Sequence, residues 1–379
     1  MFKPSRKLTR PPIKHSMIVN TLRDQIVSGV FLPGSQLPTR SRLETRFGVS
    51  RVTLQRALEQ LMADGFVCAR GRHGTFVADH PPHLSCYGLV FHHRPPPSGN
   101  WSRFLFALNN EALAIDRAGL RRMSVFYGPE SPADESYLKL VDEVQRQRLA
   151  GLIFTSPPTY LKGAPPLEQP GLPRVAIMKT AEFPGIPAVN VDSFSFIDKA
   201  LEYLNLRRRK NIAVLLGSHT SDYREYLAAG MRRRGMNCPP FWIQSVNPAT
   251  GESARNCTHL LMHKGQVERP DGLLIADDNL VEHATAGLAA AAVDVPTQVD
   301  VVVHCNFPWP TPSLLPVKRL GYDIRHVLNT CLRYIDGQRR GEKIPEVALI
   351  PAIFEDEVKS NSPSLINAPP RARHPARAD

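Results

Sequence analysis

Arginines and small polar residues cluster at two places near the start of this 379-residue chain. One group lies at the beginning of a segment with helical periodicity, and the other lies in a glycine-rich loop behind it. The two groups are Ser50, Arg51, Thr53, Gln55 and Arg56, and then Arg72, His73 and Gly74. Guanidinium, hydroxyl and amide groups are the donors with which proteins bind phosphates and base edges. The residue types and their spacing therefore point to a nucleic acid as the ligand.

The net charge of +12 is concentrated at the ends of the chain. Residues 1–80 hold 13 Lys and Arg against 5 Asp and Glu, and residues 359–379 hold 4 against 1. The remaining residues 81–358 hold 30 against 29 and are nearly neutral. A basic excess confined to one small segment is typical of a surface that binds a polyanion, although charge alone fits a solvated basic surface equally well.

Hydrophobic spacing predicts the elements that position these polar residues. Apolar residues repeat at helical intervals in three segments, and two short extended runs follow them. The predicted elements are helices over His15–Ser28, Thr39–Phe47 and Ser50–Gly65, and hairpin strands over Phe66–Ala69 and Thr75–Ala78. Thr39 and Ser50 are residue types that commonly cap helix N-termini. Two helices joined by a glycine turn at Gly48, with a basic hairpin behind them, are typical of a winged helix-turn-helix.

Residues 32–77, "LPGSQLPTRSRLETRFGVSRVTLQRALEQLMADGFVCARGRHGTFV", resemble the DNA-binding domain of the GntR family of bacterial repressors. The resemblance matches Ser50, Arg51 and Thr53 to the start of the recognition helix, and Arg72-His73-Gly74 to the tip of the wing. Ser41 and Gln55 stand where the family usually has arginine, which affects the operator sequence more than the act of binding. The DNA-contacting residues that we predict are Thr39, Arg40, Arg42, Ser50, Arg51, Thr53, Gln55, Arg56, Arg72, His73 and Gly74.

A larger domain is predicted behind a linker. Asp79–His83 breaks both periodicities, and its proline pair favours an extended spacer. Apolar strands then alternate with helices, which predicts parallel sheets covered on both faces. Four stretches, 149–157, 189–217, 269–288 and 320–338, resemble the effector domain of LacI-type repressors and the related periplasmic sugar-binding proteins. We therefore predict an α/β protein in which a two-lobed, periplasmic-binding-protein-like domain of parallel sheets flanked by helices follows the winged helix-turn-helix.

The predicted organisation has five parts. They are a flexible basic arm (1–12), the winged helix-turn-helix (13–79), a linker (80–85), the effector-binding and dimerisation domain (86–358) and a disordered basic tail (359–379).

The LacI-type resemblance implies four ligand-binding candidates at predicted strand ends. Arg224 matches an arginine that often holds sugar hydroxyls, Asp278 matches an aspartate of the family's "ND" motif, and Asp192 matches the aspartate after "VNV". Asn306 replaces an expected aspartate, so an ordinary sugar site is not secured, and each of the other three could instead hydrogen-bond a loop. The aromatic candidates for stacking on a sugar ring, with core packing as the alternative, are Trp101, Phe183, Trp242 and Trp309.

Other chemistries have little support in the sequence. The six cysteines lie far apart without a C-x-x-C pair, so we expect reduced thiols and neither a zinc site nor a disulfide framework. His92 and His93 should point to opposite faces of a strand, and no third ligand is apparent, so we expect no metal and no cofactor. No apolar run approaches the ~20 residues of a membrane-spanning helix, which predicts a cytoplasmic protein without membrane contact.

These observations predict a transcription regulator, a repressor rather than an enzyme, that binds double-stranded operator DNA as a homodimer. A small-molecule effector, with a sugar as the candidate class, would close the two lobes and change the spacing of the recognition helices. Two alternatives stay open. One is a ligand-independent dimeric DNA-binding protein, and the other is a DNA-binding domain fused to an enzyme, although no phosphate loop, nucleophile elbow or acid-base constellation is evident.

Overall fold

The computed structural model describes residues 14–96, 101–119, 121–129, 131, 133–217 and 221–360. The predicted basic arm and nearly all of the predicted tail lie outside these residues. The chain divides into two compact units, each built from separate segments. The first unit comprises the residues up to 101, 108–190 and 327–349, and the second comprises 102–107, 191–326 and the residues from 350 on.

The first unit begins with the predicted winged helix-turn-helix. Its elements are α1 (Lys14–Val27), α2 (Arg40–Phe47), α3 (Arg51–Ala63) and the antiparallel hairpin strands β1 (Val67–Ala69) and β2 (Thr75–Val77). We call residues 14–77 the winged-helix domain. One apolar face of each helix is buried in a shared core, which includes Ile18, Leu22, Leu43, Leu54, Leu58, Leu61 and Phe66. The apolar residues that repeat at i, i+3, i+4 and i+7 in α3 therefore face the core, as the sequence predicts.

The rest of the first unit is a sheet with flanking helices, which we call the first sheet domain. Its elements are α4 (Pro82–Ser85), β3 (Cys86–Phe91), α5 (Arg103–Ala118, from Leu108 on), β4 (Arg122–Tyr127), α6 (Glu135–Gln145), β5 (Gly151–Phe154), α7 (Pro165–Glu168), β6 (Arg174–Ile177), β7 (Ala188–Val191), α12 (Ile324–Arg339, from Val327 on) and β13 (Val347–Ile350). The strand order is β13-β7-β6-β5-β3-β4. Strands β3 to β7 pair in parallel, as apolar strands alternating with helices predict.

The second unit contains a sheet of the same kind. Its elements are α8 (Ser193–Leu206), β8 (Ile212–Leu216), α9 (Ser221–Arg233), β9 (Ile243–Ser245), α10 (Gly251–Met262), β10 (Gly272–Ile275), α11 (Val281–Ala290), β11 (Asp300–Phe307), β12 (Lys318–Asp323), β14 (Ile353–Phe354) and α13 (Glu355–Ser360). The strand order is β14-β12-β11-β10-β8-β9, and only β14 is antiparallel to its neighbour. The carboxyl ends of β8, β10, β11 and β12 consequently meet at one edge of the sheet.

The linker differs from the prediction of an extended spacer. Pro81 and Pro82 are buried, and α4 forms a single helical turn that begins at Pro82. The His83 ring stacks on Phe66 of the winged-helix domain, with 5.7 Å between ring centroids and 12° between ring planes. Arg339 donates a hydrogen bond from Nη1 to the carbonyl oxygen of Leu84 at 3.2 Å. The prolines favoured an extended chain, but burial of their rings and of the His83 ring stabilises a packed turn instead.

Burial gives His83 an unusual protonation equilibrium. Its Nδ1 is buried and has no hydrogen-bond partner among the described residues. Desolvation of the imidazolium, assisted by the nearby positive charge of Arg339, lowers the pKa of His83 from 6.5 to about 4. The unfolded chain takes up this proton near pH 6.5, whereas the folded chain does not until about pH 4. The stability contributed by neutral His83 is therefore present above pH 6.5 and is lost as the pH falls towards 4.

We predict that His83→Phe removes part of the acid sensitivity of the protein between pH 6.5 and pH 4. Phenylalanine keeps a ring stacked on Phe66 but has no titratable group. The measurement is the thermal unfolding midpoint as a function of pH for wild type and variant. His80→Phe is the matched control, because His80 is exposed on the preceding loop. Equal pH profiles for wild type and His83→Phe would contradict the prediction.

Candidate nucleic-acid interface and ligand site

The recognition helix α3 is fixed at its start by Ser50. The Ser50 hydroxyl accepts a hydrogen bond from the Thr53 backbone N–H at 3.4 Å and lies 3.1 Å from the Thr53 hydroxyl. This is the N-cap that the sequence predicts, and it satisfies one of the free N–H groups of the first turn. Thr39 occupies the corresponding position before α2, but its side chain makes no cap hydrogen bond and instead lies 3.3 Å from the Ser41 hydroxyl.

Five predicted DNA-contacting arginines are exposed and have no partner within the described part of the chain. Among the described residues, no hydrogen bond or ion pair involves the side chains of Arg40, Arg42, Arg51, Arg56 and Arg72. Other arginines of the same domain are occupied. Arg46 bonds Gln25 at 3.4 Å and lies over the Phe47 ring, and Arg70 pairs with Asp79 at 2.9 Å. The unoccupied guanidinium groups are therefore available to phosphate or base atoms.

The tip of the wing has a defined backbone shape. Gly71–His73 forms a 3₁₀ turn between β1 and β2, and Gly74 follows with φ +104°. A backbone of this kind favours glycine. The Gln36 side-chain amide donates a hydrogen bond to the His73 carbonyl oxygen at 2.6 Å, which ties the tip to the domain. The exposed side chains of Arg72 and His73 are consequently presented from a turn that is held in place.

The side chain of Gln55, another predicted contact residue, also has a partner. Its Nε2 donates to Glu59 Oε1 one turn further along α3 at 2.8 Å. The residue is half-buried, and its Oε1 has no partner among the described residues. Contact with a base edge would require this hydrogen bond to be exchanged.

A buried pair of polar side chains lies at the carboxyl edge of the second-unit sheet. Asn306 on β11 donates a hydrogen bond from Nδ2 to Oδ2 of Asp278 at 2.5 Å. Asp278 lies in the loop that follows β10. Both residues are buried, at 0% and 3% exposure. Asn306 Oδ1 has no partner among the described residues, and a buried amide oxygen without a partner costs free energy. The structure thus brings together two of the four predicted ligand-binding residues.

The other two predicted ligand-binding residues have local partners. Asp192 caps α8 by accepting hydrogen bonds from the backbone N–H groups of Phe194 and Ser195 at 3.1 Å each. Arg224, on the first turn of α9, donates a hydrogen bond to the Ser245 hydroxyl at the end of β9. Among the described residues, no hydrogen bond or ion pair joins either side chain to the Asp278–Asn306 pair. The Asp192 side chain therefore serves as a helix N-cap, and ligand binding by Asp192 and Arg224 stays a prediction.

Two aromatic residues near the Asp278–Asn306 pair were not foreseen from the sequence. His304 Nδ1 lies 3.6 Å from Asp278 Oδ1, and the Tyr322 ring lies 5.4 Å from the His304 ring. The Tyr322 hydroxyl donates to the backbone carbonyl oxygen of Asp192 at 3.2 Å, and burial raises the pKa of this hydroxyl. His304 stands two residues before Asn306 on one strand, so both side chains share a face. The alternation of side chains along β11 is therefore the sequence pattern that could have identified His304 as a neighbour of Asn306.

A glycine at the same edge gives room for a neighbouring carboxylate. A Cβ on Gly217, directly after β8, would lie 2.0 Å from Asp277 Oδ2. Asp277 also accepts hydrogen bonds from the backbone and side-chain nitrogens of Asn279 at 2.9 and 2.7 Å. Gly217 and Asp277 therefore form a close contact that a larger residue at 217 would disrupt.

The aromatic stacking candidates have different environments. Trp242 is 3% exposed within the apolar core of the second unit, so core packing is correct for this residue. Phe183 packs against the first-unit core, and Trp309 is 39% exposed. Trp101 lies 5.0 Å from the Phe91 ring at the end of β3, and its Nε1 is buried without a partner among the described residues.

The two adjacent histidines are arranged differently from the prediction. β3 ends at Phe91, so the alternation of side chains along a strand does not extend to His92 and His93. Their rings stack at 3.9 Å between centroids, and His92 also stacks on Tyr160 at 4.1 Å. Within the described part of the chain, no group of three His, Cys, Asp or Glu residues is arranged to hold a metal.

The described helices also include none that is long and apolar enough to cross a membrane.

The class of the N-terminal domain is defined by comparison with known families. Residues 14–77 match the model of bacterial regulatory proteins of the gntR family. These residues coincide with the three helices and hairpin described above, so the part of the chain that matches the family model is the winged-helix domain. The resemblance seen in the sequence of residues 32–77 is confirmed.

Two curated relatives share this domain. The mannosyl-D-glycerate transport/metabolism system repressor MngR of Escherichia coli (strain K12) is 42% identical over 76 residues, which are 20% of this chain and 32% of the repressor. A probable fructoselysine utilization operon transcriptional repressor of the same organism is 39% identical over 67 residues, 17% of this chain and 28% of the relative. The chain thus spans about a third of the length of these relatives.

Solved structures share the fold of the remainder. A LacI transcriptional regulator from a Rhodococcus species has a TM-score of 0.53 at 17% identity, covering 71% of this chain and 96% of that one. A LacI-family regulator from Arthrobacter, in complex with lactose, has a TM-score of 0.52 at 15% identity and covers 71% of this chain and 97% of that one. The predicted LacI-type fold of two parallel sheets is confirmed.

We predict that Ser50→Ala destabilises the first turn of α3 by about 1 kcal/mol, because the Thr53 N–H loses its cap. Amide hydrogen exchange of α3 residues in the full chain measures the change. Thr39→Ala is the matched control, because Thr39 makes no side-chain cap hydrogen bond and its replacement should leave α2 protection nearly unchanged. Equal effects in the two helices would show that the Ser50 hydroxyl does not stabilise α3.

Proposed function

We propose that this protein is a transcription regulator that binds operator DNA through α3 and the wing and responds to a small molecule bound in its second unit. The observation that carries the proposal is the set of unoccupied arginines on the exposed side of the winged-helix domain. Their guanidinium groups neutralise phosphates, and the early residues of α3 reach base edges in the major groove. The membership of residues 14–77 in a family of bacterial regulatory proteins supports the same reading.

The roles within this surface differ by position. Arg51 stands at the first position of α3, next to the Ser50 cap, where a recognition helix enters the groove. Arg72 stands at the wing tip and reaches backbone or minor groove, while Arg40 and Arg42 flank the helix-turn-helix on α2. Phosphate contacts supply most of the affinity and base contacts the selectivity. The protein would act as a homodimer on a two-fold symmetric operator.

We predict that Arg51→Ala weakens binding to operator DNA by about 1–3 kcal/mol, or roughly 5- to 150-fold. The probe is a duplex selected from a random-sequence pool by the wild-type protein. If Arg51 contacts a phosphate, the salt dependence of log K also becomes shallower by about 1. Arg46→Ala is the matched control, because this arginine is engaged with Gln25 and Phe47 and should contribute little. Unchanged affinity of a folded Arg51→Ala protein would count against the proposed interface.

The second unit supplies the ligand-binding part of the proposal. Asp278 and Asn306 place a carboxylate and an amide oxygen without a partner at the carboxyl edge of parallel strands, where ligands of α/β sheets bind. These are acceptors for hydroxyl donors, and His304 adds a ring nitrogen nearby. A polyhydroxylated molecule such as a sugar fits this set. Asp192 and Arg224 would contribute only after exchanging their present partners.

Binding of such a ligand would change DNA affinity through its different affinity for two conformations of the protein. The proposal assigns no catalytic step to the chain. It places the protein with DNA in the cytoplasm. Under the alternative of a ligand-independent DNA-binding protein, the chain binds operator DNA but does not respond to a small molecule. The two are separated by direct measurement of ligand binding.

We predict that at least one member of a panel of monosaccharides and disaccharides, including D-glucose and lactose, raises the thermal unfolding midpoint of the wild-type protein. A ligand at a hundred times its Kd stabilises the folded state by about 2.7 kcal/mol. Asp278→Asn should abolish the shift, because the carboxylate acceptor is lost while the side-chain shape is kept. Asp294→Asn, at an exposed loop position, should retain it. A panel without any shift would favour the ligand-independent alternative.

A further inference from the structure

Asp64 is a buried carboxylate at the end of the recognition helix. It follows Ala63 as the C-cap residue of α3, and its side chain is only 4% exposed. Three guanidinium groups approach it. Arg23 Nη2 of α1 lies 3.3 Å from Oδ2, and Arg148 Nη1 and Arg146 Nη1 lie 3.1 and 3.6 Å from Oδ1.

This position is unfavourable for an aspartate on its own. The carbonyl end of a helix carries partial negative charge, so a carboxylate there is destabilised, and burial adds a desolvation cost. Arg23, itself buried, compensates part of both costs from within the winged-helix domain. Arg146 and Arg148 belong to the first sheet domain, directly after α6. The buried negative charge of Asp64 is therefore fully balanced by arginines only when the winged-helix domain and the first sheet domain are in contact.

The segment from the sheet domain is held in the shape that this contact needs. Gln147, between the two arginines, has φ 55°, a left-handed conformation that non-glycine residues seldom adopt. Its Nε2 donates to Asp24 Oδ1 of α1 at 3.3 Å. Asp142 accepts hydrogen bonds from Arg146 and Arg148 at 2.7 Å each, and Glu143 accepts from Arg148 at 3.0 Å. Three arginines and three carboxylates thus form one neutral network across the domain boundary, which is worth more than isolated surface pairs.

The linker reinforces the same contact. Arg23 lies over the Phe66 ring at 5.7 Å, and the His83 ring stacks on Phe66. Pro82 Cδ is 3.8 Å from the Cβ position of Gly65, immediately after Asp64. The chain between the domains is packed against both of them rather than free in solvent.

We propose that Asp64, Arg146 and Arg148 position the recognition helix by fixing the winged-helix domain to the first sheet domain as one rigid body. The inference goes beyond the proposed function, because it assigns the orientation of α3 to an electrostatic contact instead of to a flexible linker. If the proposed function holds, any movement of the first sheet domain is carried directly to α3. These three residues are positioning residues and touch no DNA.

The test is ¹⁵N relaxation of the full chain, which measures whether two domains tumble together. In the wild type, backbone amides of α1–α3 and of β3–β7 should share one rotational correlation time. In the double variant Arg146→Gln/Arg148→Gln, the shared value should be lost and the α1–α3 amides should report faster tumbling. The Asp64–Arg23 pair stays within the winged-helix domain, so unchanged amide shifts of the α1–α3 core would show that this domain is still folded.

The matched control removes two positive charges from the same sheet domain without touching the network around Asp64. Arg117→Gln/Arg122→Gln replaces two exposed arginines that have no ion pair among the described residues, and it should keep the shared correlation time. The proposal is overturned if the wild-type domains already tumble separately, or if the first double variant tumbles as the wild type does. DNA plays no part in this measurement, so its result is independent of whether Arg51→Ala weakens DNA binding.

Discussion

Burial of the apolar face of α3 against α1 is the constraint on which the proposed DNA surface depends. Leu54, Leu58 and Leu61 are at most 1% exposed, so α3 cannot rotate about its axis without exposing them. The side of the helix that carries Arg51 and Arg56 is thereby aimed at solvent. Close packing in this core fixes the orientation of α3, and the side chains on its exposed face remain free to bind a partner.

Local signals made the N-terminal domain predictable from the sequence. The helices, their glycine turn, the Ser50 cap and the hairpin are all specified by residues within a few positions of one another. The larger α/β part was predictable at the level of its alternating strands and helices. Its first and second sheets follow the expected parallel order, because apolar strands joined by helices have few other ways to cover both faces.

Features that depend on distant residues were not predictable. α10 buries Ala254, Thr258 and Met262, so its buried face includes a polar side chain. The Thr258 hydroxyl bonds the Ala284 carbonyl of α11 at 2.9 Å, and a Cβ on Gly287 would lie 2.0 Å from that hydroxyl. Close helix contact replaces large apolar side chains here.

Among the candidate site residues, Asp278 and Asn306 were predicted separately from the LacI-type resemblance, whereas the strand that carries the neighbouring Tyr322 was not predicted. Sequence patterns predict the secondary structure of a single segment, but they do not predict which side chains from two distant segments come into contact.

The order in which the chain completes its first sheet has a consequence for biosynthesis. β7 borders β13 in that sheet, and the Ala188 backbone N–H donates to the carbonyl oxygen of Glu346 at 2.7 Å. While the ribosome translates the codons between them, the β7 edge has no neighbour, and an unpaired strand edge can pair with another nascent chain. The β7 edge is therefore a position at which nascent chains of this protein can associate wrongly before β13 has been made.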